Sequence, residues 1–166
     1  FEFLKEINSI MHLKDEGFDA IFIGIGLWEA KKPSIPGSDL KGVWTALDYL
    51  KAARISNSRF EAGNRVVVIG GGDVAMDCAA TAKLAGADKV MVYYRRTIEE
   101  APADIDEMRY VQDMGVTITT EFIPNEIIRD SSKNNFILFK GRDGESSAKI
   151  KADTIVFAIG QKPKNI

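Results

Sequence analysis

Three consecutive glycines, Gly70 to Gly72, are the residues of this sequence whose type and spacing most directly indicate chemistry. They open the run Gly70-Gly71-Gly72-Asp73-Val74-Ala75, which fits the pattern Gly-x-Gly-x-x-Ala. In this pattern the first glycine permits a tight turn and the second permits close approach of the backbone to a pyrophosphate. The alanine then allows the following helix to pack closely on a sheet. The run therefore indicates a dinucleotide site.

The segments on either side of the glycines support this interpretation. Val66-Val67-Val68-Ile69 is continuously apolar, as expected of a strand buried on both faces, and a helix of small residues is predicted up to Leu84. The start of such a helix offers N–H groups and a partial positive charge to phosphates. A tight turn without a ligand would also use glycines, but the strand before and the helix after favour the functional interpretation.

Two arginines follow the next predicted strand, Lys89 to Tyr94. That strand ends about twenty residues beyond the glycines, where an NAD site usually has an acidic residue for the ribose 2′-hydroxyl. Arg95 and Arg96 stand there instead, and a guanidinium suits a 2′-phosphate, so NADP(H) is favoured. A solvated basic pair is the alternative, and Glu99 and Glu100 are close enough in sequence to neutralise the arginines in part.

The remaining pattern predicts the architecture. Strands alternate with helices up to about residue 122, and short strands separated by turn clusters follow. We expect an α/β, Rossmann-like, three-layer dinucleotide-binding domain with a parallel sheet and a three-stranded antiparallel ribbon. The predicted elements after Tyr94 are a helix at Asp104 to Met114 and strands at Val116 to Phe122, Glu126 to Arg129, Asn135 to Lys140, Ala148 to Lys151 and Thr154 to Ile159.

The first third of the chain has a different organisation. A short helix is predicted at Glu2 to Lys14, a doubly covered strand at Phe18 to Ile25 and a helix at Val43 to Ala53. Prolines and glycines make Lys31 to Gly42 irregular. We place a domain boundary near Gly63.

Composition limits the possible partners. The 166 residues are 45% hydrophobic and 28% charged, with a net charge of −2, which fits a compact domain. This balance predicts no association with nucleic acid, and the short apolar runs predict no membrane span. A single cysteine, Cys78, and no recognisable leader lead us to expect a cytoplasmic protein.

Other reactive side chains have plain structural explanations. His12, the only histidine, is expected on a solvated helix, and Cys78, with no Cys-x-x-Cys partner, is expected as a packing residue. Asp104, Asp106 and Glu107 suggest paired carboxylates, but their place at a helix start accounts for them. We therefore predict no catalytic acid or base and no metal site.

Several motifs together carry a family resemblance over nearly the whole chain. The sequence resembles the small (beta) subunit of glutamate synthase and its relatives, which include the NADPH-to-flavin half of dihydropyrimidine dehydrogenase. The motifs are Phe18 to Gly26, Ile35-Pro36-Gly37, Gly70 to Cys78, Tyr94-Arg95-Arg96, Ala101-Pro102-Ala103 and Ala158-Ile159-Gly160-Gln161. A departure is Glu100 before Ala101-Pro102, where a methionine often precedes the proline.

The resemblance implies a role in electron input. In such proteins NADPH reduces FAD, and electrons pass through iron–sulfur clusters to a large catalytic subunit or another iron–sulfur partner. The family's first glycine motif and its cluster cysteines are not in this sequence. The resemblance therefore implies a fragment of a longer chain that is inactive alone, with an NAD(P)-binding domain at 63–157 and parts of an FAD domain and interdomain segments at 1–62 and 158–166.

The resemblance also implies roles for single residues. The pyrophosphate would lie on Gly70 to Ala75, and the 2′-phosphate on Arg95 and Arg96. The nicotinamide end would be lined by Ala158, Ile159 and Gly160, and the flavin domain would face Gly24 and Gly26.

More than one function is compatible with these residues. Within the enzyme class, pyrimidine reduction and ferredoxin-linked transhydrogenation are alternatives to glutamate synthesis. A non-catalytic NADP-binding module is a further alternative. The two glycine-ended strands predicted at Ile23 to Gly26 and Ala158 to Gly160 favour an enzyme, because they suit crossings between NADP and FAD domains.

Overall fold

A computed structural model describes residues 3–56 and 60–163 of the chain. Its helices are α1 (Ile10–Asp15), α2 (Ala46–Ile55), α3 (Asp73–Leu84) and α4 (Ile105–Asp113). Its strands are β1 (Glu29–Ala30), β2 (Val43–Thr45), β3 (Arg65–Ile69), β4 (Lys89–Tyr93), β5 (Thr117–Thr119), β6 (Phe122–Arg129), β7 (Asn135–Gly141), β8 (Ser147–Ala152), β9 (Thr154–Phe157) and β10 (Gln161–Lys162).

A five-stranded parallel sheet with the order β2-β9-β3-β4-β5 forms the centre of the fold. Its middle strand, β3, pairs Val67 with Met91 on one side and with Ile155 on the other. From β3 the chain proceeds to β4 and β5 in one direction, whereas β9 lies on the opposite side. This change of direction opens a crevice at the carboxyl ends of β3 and β9, which is where α/β sheets bind ligands.

Alternate side chains of the sheet face two different layers. Val66 and Val68 point toward the helices, where they pack in one core with Met76 of α3. Val67 and Ile69 face the other way and pack with Ile137 and its neighbours from the antiparallel strands. Burial of each such side chain stabilises the fold by roughly 1.5–3 kcal/mol, so both faces of the strand must be apolar.

Helix α3 lies on the sheet through a face of small residues. Ala75, Cys78, Ala79 and Ala82 recur at helical spacing and are completely buried. Small side chains let the helix axis approach the sheet closely, which brings the start of α3 to the carboxyl end of β3.

The opposite face of the sheet is covered by an antiparallel sheet of three strands in the order β6-β7-β8. The rings of Tyr93 and Phe139 stack across this boundary with centroids 4.2 Å apart. The structure thus consists of a helical layer, a parallel sheet and an antiparallel sheet. It confirms the predicted α/β class, the three layers and the three-stranded ribbon.

The prediction of a strand at Phe18 to Ile25 is wrong. These residues form no strand, and most of their large side chains are exposed, with Phe22 95% accessible, while Ile21 is half-buried. A continuous apolar run predicts burial on both faces, but burial requires neighbouring strands. Within residues 3–56 and 60–163, no strand pairs with this run on either side.

Several other predicted elements differ in extent. The strand predicted at Glu126 to Arg129 begins at Phe122, and the strand predicted at Thr154 to Ile159 ends at Phe157. Residues 3–9 are not helical and the first helix is only Ile10–Asp15, while Glu2 lies outside the described residues. The helix predicted from Val43 begins at Ala46, because Val43 to Thr45 pair with β9 and Thr45 then caps the helix by accepting from Asp48 N at 3.3 Å. The strand predicted to reach Phe122 ends at Thr119, since Glu121 adopts φ 62° and turns the chain into β6.

The predicted boundary near Gly63 stays a prediction. Strand β2 precedes that position and joins the central sheet by pairing with β9. Helix α2 also precedes it, and its fully buried Tyr49 lies in the same core as Val66 and Val68 of that sheet. No helix in the described ranges is both long enough and apolar enough to cross a membrane.

Candidate dinucleotide cleft

The turn after β3 brings the glycine run against the end of β9. Gly70 has φ 151°, and its N–H donates to the carbonyl of Tyr93 at 3.0 Å. A Cβ on Gly70 would overlap the carbonyl oxygen of Ala158. The first glycine is therefore required by the fold itself, through its backbone angle and its contact with the neighbouring strand.

Gly71 is required for a different reason. A Cβ at this position would lie 2.7 Å from Cγ of Tyr94, in the face of the aromatic ring. Tyr94 follows β4, so this contact joins the turn after β3 to the turn after β4.

Gly72 is not explained by the fold in either way. Its backbone, at φ −105° and ψ 175°, is open to any residue, and the nearest atom to a Cβ there is Cγ of Pro102 at 3.6 Å, an ordinary contact. Gly72 is the N-cap of α3, a position where Ser, Thr, Asp or Asn would stabilise the helix, and it provides no side-chain cap. A glycine here keeps the space in front of the first N–H groups of α3 open.

A second loop supports the glycine turn from outside. The N–H of Ala103 donates to the carbonyl of Gly71 at 3.0 Å, and the N–H of Asp104 donates to Oδ1 of Asp73 at 2.8 Å. Asp104 is also the N-cap of α4 and accepts from Asp106 N at 2.8 Å. The acidic residues at 104–107 thus begin a helix, as predicted, and the carboxylate of Asp73 positions that helix relative to the glycine turn.

The two arginines after Tyr94 are exposed and unpaired. Within the described part of the chain, neither guanidinium makes a salt bridge or a side-chain hydrogen bond. Glu100, which the sequence offered as a neutralising neighbour, is bound by Arg142 Nη1 at 3.1 Å. Arg95 and Arg96 therefore present their positive charge to the cleft beside them.

The glycine turn, the arginines and the end of β9 surround one cleft of about 760 Å³. That volume lies in the range of pockets that hold small molecules and cofactors. Ten of the residues predicted from the sequence line it: Gly70, Gly71, Gly72, Asp73, Val74, Arg95, Arg96, Ala158, Ile159 and Gly160. The sequence thus predicted residues that the fold brings together from three separate strand ends.

Three predicted residues lie outside the lining. Ala75 is fully buried, facing the core of the helical layer. Gly24 and Gly26 lie in the exposed segment that precedes β1, where Trp28 Nε1 donates to the carbonyl of Ile25. Their contact with a flavin domain stays a prediction.

Several lining residues had not been predicted as site residues, although Ile35 belongs to the quoted Ile35-Pro36-Gly37 motif. The irregular segment before β2 contributes Pro33, Ser34 and Ile35, and α2 contributes Leu47. Their side chains are separated from the glycine run by more than twenty positions, and only the pairing of β2 with β9 brings them near. Tyr94 and Pro102 also line the cleft, and their membership of the Tyr94-Arg95-Arg96 and Ala101-Pro102-Ala103 motifs was an available signal.

The remaining reactive groups lie apart from the cleft. Cys78 is fully buried on α3, and burial, with a smaller contribution from the Asp77 carboxylate, raises the pKa of its thiol from 9.0 to about 12. His12 is exposed on α1. Across the described ranges, no group of three or more His, Cys, Asp and Glu side chains is placed to hold a metal ion.

Residues 8–166 match the pyridine nucleotide-disulphide oxidoreductase family. The chain belongs to this family. Among curated proteins, it is 33% identical to the small chain of NADPH glutamate synthase from Halomonas elongata, over 89% of this chain and 36% of that protein. It is 30% identical to the NAD-dependent dihydropyrimidine dehydrogenase subunit PreT from Escherichia coli, over 86% of this chain and 33% of that protein.

These matches confirm the predicted resemblance to glutamate synthase small subunits and to dihydropyrimidine dehydrogenase. Among solved structures, thioredoxin reductase from T. acidophilum superposes with a TM-score of 0.63 at 19% identity, over 79% of this chain and 41% of that one, which shows a shared fold. The chain spans about a third of the length of these curated relatives. As a pyridine nucleotide-disulphide oxidoreductase chain, it has the dinucleotide fold of a flavoprotein enzyme.

Proposed function

We propose that this chain is the NADPH-binding part of a flavoprotein oxidoreductase. The dinucleotide would lie across the carboxyl ends of β9, β3 and β4, with its pyrophosphate at the start of α3. The observation that carries this proposal is made at Gly72. The backbone angles and the surroundings of this residue would accept a side chain, and yet it has none. A ligand that approaches the backbone at this point accounts for the missing side chain.

The residues around the cleft fit such a ligand in chemistry and in size. The N–H groups in the first turn of α3 can donate to pyrophosphate oxygens, and the helix dipole favours that negative charge. The unpaired guanidinia of Arg95 and Arg96 suit a 2′-phosphate, which each can bind with charge-assisted hydrogen bonds. A cleft of about 760 Å³ accommodates much of a dinucleotide.

The proposed chemistry is hydride transfer, in which bound NADPH supplies the hydride and FAD accepts it. The role of the protein residues is to bind and orient the two cofactors. Ala158, Ile159 and Gly160, at the end of β9, would position the nicotinamide end, and Gly24 and Gly26 would face the flavin domain. We assign no catalytic acid or base, because this reaction asks the protein for geometry and electrostatics.

The names of the relatives support the wider context. Glutamate synthase small chains and PreT are subunits, so we propose that a larger catalytic subunit or an iron–sulfur partner receives the electrons in the cytoplasm. The NAD(P)-binding domain would cover 63–157, with 1–62 and 158–166 in the FAD domain and interdomain segments. Residues 164–166 lie outside the described residues.

Competition between adenine nucleotides tests the binding assignment. Adenosine 2′,5′-bisphosphate carries the 2′-phosphate of NADPH, whereas adenosine 5′-monophosphate lacks it. The proposal expects the bisphosphate to bind this chain at least tenfold more tightly, because one charge-assisted bond contributes about 1.5–3 kcal/mol. Equal affinities would contradict it. The hydride step is tested by anaerobic bleaching of FAD by NADPH in a polypeptide that joins this chain to a flavin-binding domain.

A further inference from the structure

The carboxylate of Glu100 makes two of the hydrogen bonds that hold the loop with the two arginines. Oε2 of Glu100 accepts from the backbone N–H of Thr97 at 3.1 Å and from Nη1 of Arg142 at 3.1 Å. The hydroxyl of Tyr94 donates to the backbone carbonyl of Glu100 at 2.9 Å. Loop 95–101 is therefore fixed at its start and at its end, with Arg95 and Arg96 between the fixed points.

Arg142 reaches this loop from the opposite layer of the molecule. It follows β7, and its backbone N–H donates to the carbonyl of Glu121 at 2.7 Å. The N–H of Glu121 donates in turn to the carbonyl of Arg96 at 3.0 Å. Two kinds of hydrogen bond therefore link the antiparallel sheet to loop 95–101: a backbone bond from Glu121 to Arg96, and a side-chain bond from Arg142 to Glu100.

The same contacts control charge near the cleft. The Thr97 N–H, and then the guanidinia of Arg142 and Arg96, hold the pKa of Glu100 below its usual value, so this carboxylate is ionised at neutral pH. An ionised carboxylate near Arg96 competes with an incoming phosphate for the same guanidinium. Arg142 pairs with that carboxylate and so reduces its competition for Arg96.

We infer that Arg142 is a specificity-determining positioning residue: by pairing with Glu100 it fixes loop 95–101 and leaves Arg95 and Arg96 for the 2′-phosphate. The inference rests on the proposed function and deepens it. It assigns part of the choice between NADPH and NADH to a residue of the antiparallel sheet, outside the dinucleotide motif.

Four variants separate charge control from simple support of the loop. They are R142M, which removes the charge, R142K, which keeps it, the double variant R142M/E100Q, which removes both charges, and R109M. The last is a matched control, because Arg109 makes an exposed ion pair with Asp106 at 3.5 Å on α4. Each variant of the whole chain is titrated with NADPH and with NADH, and circular dichroism confirms that it folds. Where R142M does not fold, R142Q replaces it.

The inference predicts that R142M lowers the preference for NADPH over NADH roughly three- to fivefold, the scale of one exposed charge interaction. R142K should keep most of the preference, R142M/E100Q should regain it, and R109M should not change it. An unchanged preference for NADPH in R142M would overturn the inference. It would also be overturned if R142M bound NADPH and NADH equally more weakly and R142M/E100Q did not recover the affinity for NADPH. Failure of the unmodified chain to prefer NADPH would instead overturn the proposed function, and this inference with it.

Discussion

The aromatic ring of Tyr94 lies against Gly71, so closely that a Cβ at position 71 would overlap the ring. This contact ties the turn after β3 to the turn after β4 and places the predicted pyrophosphate and 2′-phosphate sites in a fixed relation. The hydroxyl of the same tyrosine donates to the carbonyl of Glu100 at 2.9 Å. One side chain thus positions both loops of the cleft.

Adjacent glycines are expected to respond differently to substitution. G71A should destabilise the fold by about 1–3 kcal/mol, since its Cβ would overlap the Tyr94 ring. G72V should leave the fold stable but abolish dinucleotide binding, because its backbone angles suit any residue while its side chain would occupy the space over α3. Urea unfolding and NADPH titration of both variants check this. Retained NADPH affinity in G72V would count against the pyrophosphate site.

Replacing the two arginines should remove discrimination between the nucleotides. R95A/R96A is expected to weaken NADPH binding by one or more powers of ten and to leave NADH binding nearly unchanged, because charge-assisted bonds contribute about 1.5–3 kcal/mol each. The matched control is R54A/R109A, which removes two exposed arginines from α2 and α4. Equal losses for NADPH and NADH in R95A/R96A would show that these residues do not contact the 2′-phosphate.

Cys78 should be inert in the folded protein and should contribute to alkaline unfolding. Its folded pKa of about 12 exceeds the ordinary value of 9.0, so its contribution to stability is complete below pH 9 and is lost as the pH rises toward 12. The thiol should react with a disulfide reagent at pH 8 only after urea unfolding. C78A should lose less stability than the unmodified chain between pH 8 and pH 10. Rapid reaction of the native thiol would disprove the burial argument.

Asn135 should be important for the junction between the antiparallel sheet and the segment before β2. The residue is buried, its Oδ1 accepts from Arg129 Nε at 2.9 Å and its Nδ2 donates to the carbonyl of Lys41 at 2.9 Å. N135A should lower the free energy of unfolding by about 1–3 kcal/mol, because it removes two hydrogen bonds that contribute about 0.5–1.5 kcal/mol each. The exposed Asn125 offers a control, and N125A should change that free energy little. Equal effects of the two substitutions would contradict this role.

The sequence predicted best where the determinants are local. The bounds of β3, α3 and β4 follow from a continuous apolar run, a glycine turn and a face of small residues. These signals lie within a short stretch of chain, and they also predicted that the glycine turn and the arginines share one cleft.

The prediction failed where partners decide the structure. The apolar run at Phe18 to Ile25 indicates a buried strand, yet a strand needs neighbours to pair with, and its residues are exposed. Val43 to Thr45 have helical spacing, but β9 recruits them into the sheet. The Arg142–Glu100 pair joins residues 42 positions apart, so only the docking of two layers reveals it.

The central claim is that this chain binds NADPH through its glycine turn and its arginine pair. Calorimetric titration of the chain with NADPH and NADH side by side, at low ionic strength, tests this claim most directly. We predict saturable binding of both nucleotides, with NADPH at least tenfold tighter, the scale of one charge-assisted contact to the 2′-phosphate. Equal affinities, tighter binding of NADH or no binding of either nucleotide would contradict the account.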